Sequence, residues 1–167
     1  MLSLNNKSDI NQEINDFFIH NAEYWSIVDL KMDYLKESIS LKLVSTRNQE
    51  LLKTHIQFNQ VLSFYVHQEP EYENYRLNSF EENDDLLLSE ISFHPEGFGQ
   101  IYIKSLEPDL KEIETLTAPT NFYFQVNNKD CFFIEANSLV VNDKKYRNLL
   151  REENTLKKLI SLIVAFP

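Results

Sequence analysis

The segment from His55 to His67, HIQFNQVLSFYVH, sets Ile56, Phe58, Leu62, Phe64 and Val66 on alternate positions, with Gln60 as the single polar interruption. Side chains of a strand point alternately to opposite faces, so this spacing predicts a strand that commits one face to a core. The same period recurs along the chain. In WSIVDLKMDY, Val28, Leu30, Met32 and Tyr34 fall on one side, and beyond Lys36-Glu37 the stretch SISLKLVS aligns Ile39, Leu41 and Leu43. These two segments read as a hairpin, and with the strand at His55–His67 as a three-stranded antiparallel meander. Further on, LLLSEISFH reads as a strand with a register break near Ser89, and His94-Pro95-Glu96-Gly97 as the turn of a second hairpin into FGQIYIKSL. NFYFQV, CFFIEA and SLVVN read as three short strands separated by Asn127–Asp130 and Asn137.

Helical spacing is confined to three places. Ser8 or Asp9 caps a segment in which Ile10, Ile14, Phe17 and Phe18 share a face, with Asn21 as its stop. Pro108 and Pro119 bracket DLKEIETLTA, which suits a short helix. At the carboxyl end Tyr146, Leu149, Leu150, Leu156, Leu159, Ile160 and Ile163 trace an amphipathic helix. A chain of 167 residues buries roughly 70% of its unfolded surface, enough for one core. The expectation is a single α+β domain over residues 1–167: a mainly antiparallel, twisted β-sheet of six to eight strands with helices at the N- and C-terminal ends. Only 2 residues are glycine, against roughly 12 at average usage, so Asn, Asp and Ser must make the turns. Asn48, Asn127-Asn128, Asn137 and Asn142-Asp143 are the candidates. Heavy use of Asn, Lys, Ile, Phe and Tyr suits an AT-rich, bacterial genome.

The formal net charge of −10 argues against nucleic acid, whose binding rests on neutralising phosphates with Lys and Arg. Cys131, the one cysteine, cannot form an internal disulfide. The amino terminus lacks a secretory pattern, and the most apolar run, LISLIVAF, is far shorter than the ~20 residues that cross a bilayer. A cytoplasmic protein away from membranes is expected.

No familiar constellation for chemistry stands out. His20, His55, His67 and His94 are scattered, and a lone thiol in the apolar run after Cys131 reads as a small buried side chain. Two glycines scarcely furnish a phosphate-binding loop, so no cofactor is expected. Trp25 reads as a core anchor. The sharpest feature is the acidic connector between Gln68 and Asp85, where Tyr72, Tyr75, Glu81, Glu82, Asp84 and Asp85 form a candidate surface for a basic protein partner. Charge of one sign steers encounter, and tyrosine buries area at small entropic cost.

The order YWSIVDLKMDYLKESISLKL, IQFNQVLSFYV, the acidic stretch, LLLSEISF, GQIYIKSL and a late aromatic strand resembles that of small bacterial proteins of the YxiG-like and immunity-protein type, over about Trp25 to Val141. That resemblance implies a non-catalytic protein that binds and neutralises a cognate toxin domain. The rival expectation is a small-ligand carrier or enzyme using a pocket on the sheet face, lined by His55, His67 or Glu90. A third is a homo-oligomer joined through the apolar segment Leu159–Phe166.

Overall fold

The computed structural model describes residues 4–21, 25–47, 50–68, 86–103 and 116–150. A helix, α1 (Leu4–Asn21), is followed by β1 (Trp25–Asp33), a 3-10 turn (Tyr34–Lys36), β2 (Ser38–Arg47), β3 (Glu50–His67) and β4 (Leu87–Phe93). Then come β5 (Gln100–Ile103), β6 (Leu116–Pro119), β7 (Phe122–Val126), β8 (Asp130–Val141) and β9 (Lys144–Arg147). Antiparallel pairing gives the order β3-β2-β1-β4-β7-β8-β9, and because β3 also pairs with β8 the first six strands form a closed ring. The length of β3 permits this: its first half lies along β2 as far as Asn59, while Ile56 to His67 lie along β8. The α+β expectation holds as a mostly antiparallel sheet with one helix near the amino terminus. The meander β1-β2-β3 is as expected.

The ring encloses the core. Leu41, Phe58, Phe122, Phe124, Ile134, Ala136 and Leu139 are fully buried, and Phe122 sits between Phe58 and Phe93 at centroid separations of 5.0 and 4.7 Å. Trp25 is buried, as an anchor should be. Ile14 and Phe18 of α1 enter the same cluster, with Ile10 and Phe17 half-buried beside them. The helix begins four or five residues before the predicted cap, and it ends at Asn21 as the sequence suggests. Where α1 meets Trp25, Leu43, Ile56 and Leu88, only about 10 Å³ of space remains.

Several expected faces are rotated by bulges, each of which inserts a residue and reverses the alternation beyond it. In β1 the register shifts between Ile27 and Asp29, so Ile27, Leu30 and Met32 oppose Leu43, Leu41 and Ile39 on the inner face while Val28 turns out. In β3, Gln60 adopts φ 52° and the register against β8 shifts between Val61 and Ser63. Ile56, Phe58 and Phe64 therefore pack on the core as expected, but Leu62 and Val66 are exposed, and Val61, expected on the opposite face, packs on the core as well. In β4 the register shifts between Leu88 and Glu90, at the expected break.

Four further expectations need correction. Asn137 does not separate two strands: β8 runs through it, and its Nδ2 donates to Gln60 Oε1 at 2.9 Å on the neighbouring strand. The turn after His94 does not make a hairpin within the ring, because β4 pairs with β1 and β7, whereas β5 pairs with β6 in a separate two-stranded sheet. Leu116, Thr117 and Ala118, the end of the segment read as a short helix between Pro108 and Pro119, belong to strand β6, and residues 109–115 lie outside the described residues. Tyr146, read as the start of a carboxyl-terminal helix, is instead a buried residue of strand β9. Leu149 and Leu150, also assigned to that helix, follow β9 in non-helical chain, with Leu149 buried in the core; Leu156, Leu159, Ile160, Ile163 and the Leu159–Phe166 contact segment lie outside the described residues.

Asparagine serves the scarce-glycine chain twice over. Asn127, Asn128 and Asn142 take φ 53°, 55° and 52° in the turns predicted for them, a conformation that Asn tolerates better than most residues. Asparagine also replaces a strand neighbour, since its side-chain amide carries the same donor and acceptor as a peptide group. Asn15 Nδ2 donates to Phe93 O, and its Oδ1 accepts from Phe93 N–H, both at 2.9 Å, which locks α1 to β4. Asn127 and Asn142 accept through Oδ1 from Leu87 and His55 N–H and return their own N–H to the same residues' carbonyls.

Candidate binding cleft

The end of the ring nearest Leu43 is covered by α1, and the opposite end, nearest Ile39, carries a cleft of about 610 Å³. One wall is the β1–β2 connection, where Asp33 Oδ1 accepts from Lys36 N–H at 3.1 Å and Glu37, at φ 49°, donates its N–H to Tyr34 O. This single turn places Tyr34 and Leu35 at its outermost point, 88% and 91% exposed. The other wall is Val61–Phe64 of β3, fixed to the turn by the bond from Val61 N–H to Glu37 O at 3.0 Å. Met32 and Leu62 are 56% and 47% exposed at the rim. Isolated surface leucines are ordinary, whereas apolar residues grouped around a concavity are the kind of surface on which binding sites are built.

The lining is charged on one side only. Among the described residues, Asp33 and Glu37 are its charged members, and the lining includes no Lys, Arg or His. The Lys36 ammonium, 3.2 Å from Asp33, and the Lys36 N–H hold the Asp33 carboxyl below the usual range, so it stays anionic in mildly acidic solution.

His55, His67 and Glu90, proposed from the sequence for a pocket, are not among the described residues that line this cleft. Tyr72, Tyr75, Glu81, Glu82, Asp84 and Asp85 lie outside the described residues. His55 is half-buried on β3 opposite Lys42, and His67 and Glu90 are exposed on β3 and β4. The cleft was missed because its rim residues were assigned to a core face. Leu30 and Met32 do share that face with Leu41 and Ile39, but among the described residues β1 pairs with β4 only at Trp25 and Ser26, so nothing there covers them.

A second constellation lies on the outer face of the ring. Tyr65 stacks on Phe133 at 4.5 Å, and Phe98, brought back over the sheet by the turn after His94, packs on His94, Phe133 and Tyr123. Cys131 is half-buried beside polar neighbours, not in an apolar strand interior as expected: Tyr123 Oη lies 3.3 Å from its Sγ, and His67 is its register partner on β3. Burial, and then the neighbouring thiol, push the Tyr123 phenol well above its ordinary value. Among the described residues no group of three or more His, Cys, Asp or Glu is placed to hold a metal ion, and no helix is long and apolar enough to cross a membrane.

Two predictions arise from this face. Gly99 takes φ 76°, and a Cβ there would meet the Tyr65 hydroxyl at 2.8 Å. Gly99→Ala should therefore cost about 1–3 kcal/mol in urea unfolding, through strained backbone and a displaced Tyr65 ring. His94, whose Nε2 lies 2.9 Å from Ser92 Oγ, is held below its ordinary pKa by burial, an effect only partly offset by the Glu90 carboxylate. The unfolded chain then binds the proton more readily, so stability is full above about pH 6.5 and falls as the pH drops through that value toward the folded pKa. Urea midpoints should decline between about pH 7.5 and 5.5, and His94→Phe should flatten that slope; an equal slope in both proteins would contradict the assignment.

No curated protein matches the chain. The family described as YxiG-like protein matches residues 14–146, a span that begins within α1 and reaches β9, wider at both ends than the resemblance read from the strand order. With most of its length so matched, and with the ring of strands lying within that span, the chain belongs to the YxiG-like protein family.

Proposed function

We propose that this protein is a non-catalytic binding module whose cleft, between the β1–β2 turn and β3, receives a segment of a basic protein partner. The observation that carries the reading is the exposure of Tyr34, Leu35, Met32 and Leu62 around one concavity whose charged lining, among the described residues, is anionic. Held in water, that apolar area is unfavourable by roughly 25 cal/mol per Å², a cost that a partner removes. The net charge of −10 favours encounter with a basic surface. An immunity-type role toward a cognate toxin domain, in the cytoplasm, is the finer form of the proposal. It is supported by the acidic charge and by the resemblance in strand order.

The test is differential capture from a lysate of the cells that encode the protein. Leu35→Asp with Leu62→Asp alters two exposed side chains, and surface changes of this kind usually move stability by no more than about 0.5 kcal/mol. The native protein should retain one basic protein, less firmly at high salt, and the double variant should weaken retention by about tenfold or more. Retention of the same proteins by both would remove the cleft from the account. A small-ligand reading shares this site, because a cleft of about 610 Å³ falls in the range of ligand pockets. Thermal stabilisation by an apolar small molecule, with no protein retained, would favour it.

A further inference from the structure

We propose that the partner is received as an added β-strand along the edge of β3 from Val61 to His67 that no described strand occupies, an inference that rests on the protein-binding reading of the cleft. Among the described residues, β2 accompanies β3 only as far as Asn59, and beyond it the single bond from Val61 N–H to Glu37 O joins this edge to the turn. The other edge of the same segment is engaged by β8 from Val61↔Ala136 to His67↔Cys131, with a bulge at Leu62, so the segment is held extended. An exposed strand edge is a template for another chain, and proteins ordinarily blunt such edges with charged side chains or proline.

The two edges beside the cleft differ in this respect. The β1 edge carries Asp29, Lys31 and Asp33 within six residues, whereas Leu62-Ser63-Phe64-Tyr65-Val66 carries neither charge nor proline. An extended segment pairing there lays alternate side chains against Leu62 and the turn residues Tyr34 and Leu35, beside the carboxylates of Asp33 and Glu37 at the two ends of that turn. The partner chemistry that fits is an extended stretch with apolar residues at every second position and Lys or Arg at its ends.

The test uses the full chain and two synthetic peptides of about eight residues, the usual upper range of a strand. One alternates valine and threonine between terminal lysines, and the other is identical but N-methylated at alternate backbone nitrogens. Amide hydrogen exchange is then followed at Leu62–His67 and at Val28–Asp33. The unmodified peptide should bind and slow exchange within Leu62–His67 by about tenfold, and the N-methylated peptide should do neither. Equal binding by both, with exchange at β3 unchanged, would overturn strand addition and leave side-chain docking in the cleft. Slowing confined to Val28–Asp33 would assign the wrong edge and overturn it too. Failure of both peptides to bind would overturn the proposed partner chemistry. The protein-binding reading itself falls only if capture is indifferent to Leu35→Asp with Leu62→Asp.

Discussion

Asn121→Ala is expected to lower the unfolding free energy by roughly 3–5 kcal/mol, a large share of the roughly 5–15 kcal/mol that holds a domain together. Asn121 is buried between β7, β8 and the chain beyond β9. Its Nδ2 donates to Ala136 O at 2.9 Å and to Leu149 O at 3.0 Å, and its Oδ1 accepts from Ala136 N–H at 3.0 Å. Alanine would strand three buried backbone groups at once, and each such group costs about 1–3 kcal/mol when left unsatisfied, with partial relief from relaxation. The side chain also ties Leu149, a core residue, to the middle of β8, where Leu149 N–H donates to Asn137 O. Urea unfolding of the variant should show a markedly lower midpoint, and a loss below about 1 kcal/mol would mean that water replaces the amide at no great cost.

Phe122→Ala should be comparably severe, at about 3–5 kcal/mol, because the ring is wholly enclosed and its removal leaves a cavity that surrounding strands cannot fill. Phe122 pairs with Phe93 on β4 and Ile134 on β8, and its ring touches Phe58 of β3 edge-on. It thus joins strands from both halves of the ring. Phe122→Leu, which keeps most of the volume, should recover about half of the loss. If Phe122→Ala cost no more than an exposed substitution such as Leu62→Ala, the ring-shaped core described above would be wrong.

These two residues also mark where sequence reasoning stopped. Asn121 looks like another turn asparagine, and nothing in its neighbourhood reveals that its partners are Ala136 and Leu149. What was legible was local. The β1–β2 hairpin followed from period-two spacing on either side of Lys36-Glu37, and the turns at Asn127-Asn128 and Asn142 from the tolerance of asparagine for positive φ. The break at Ser89 in β4 followed from Leu86, Leu88, Ile91 and Phe93 falling out of step.

Closure of the ring was not legible, because the pairing of Ile56 with Val141 and of His67 with Cys131 joins segments whose spacing is the same in an open sheet and in a closed one. Nor were the bulges at Val28 and Leu62, which depend on how partners pair and decide which leucines are buried. Leu62 and Met32 have the composition and spacing of core residues, and only the fold shows them at a rim. The surface proposed from the acidic connector, Tyr72 to Asp85, lies outside the described residues, so the cleft arose from geometry alone.

Site-directed photocrosslinking in living cells tests the cleft most directly. A benzophenone side chain would replace Leu35, at the tip of the turn, and in a second protein would replace Lys145, exposed on β9. Illumination should join the Leu35 position to one basic protein, the same one retained in capture, and that adduct should disappear when Leu62→Asp is added. The Lys145 position should give no such adduct. Absence of any adduct at Leu35, or the same adducts from both positions, would contradict a partner seated between the turn and β3.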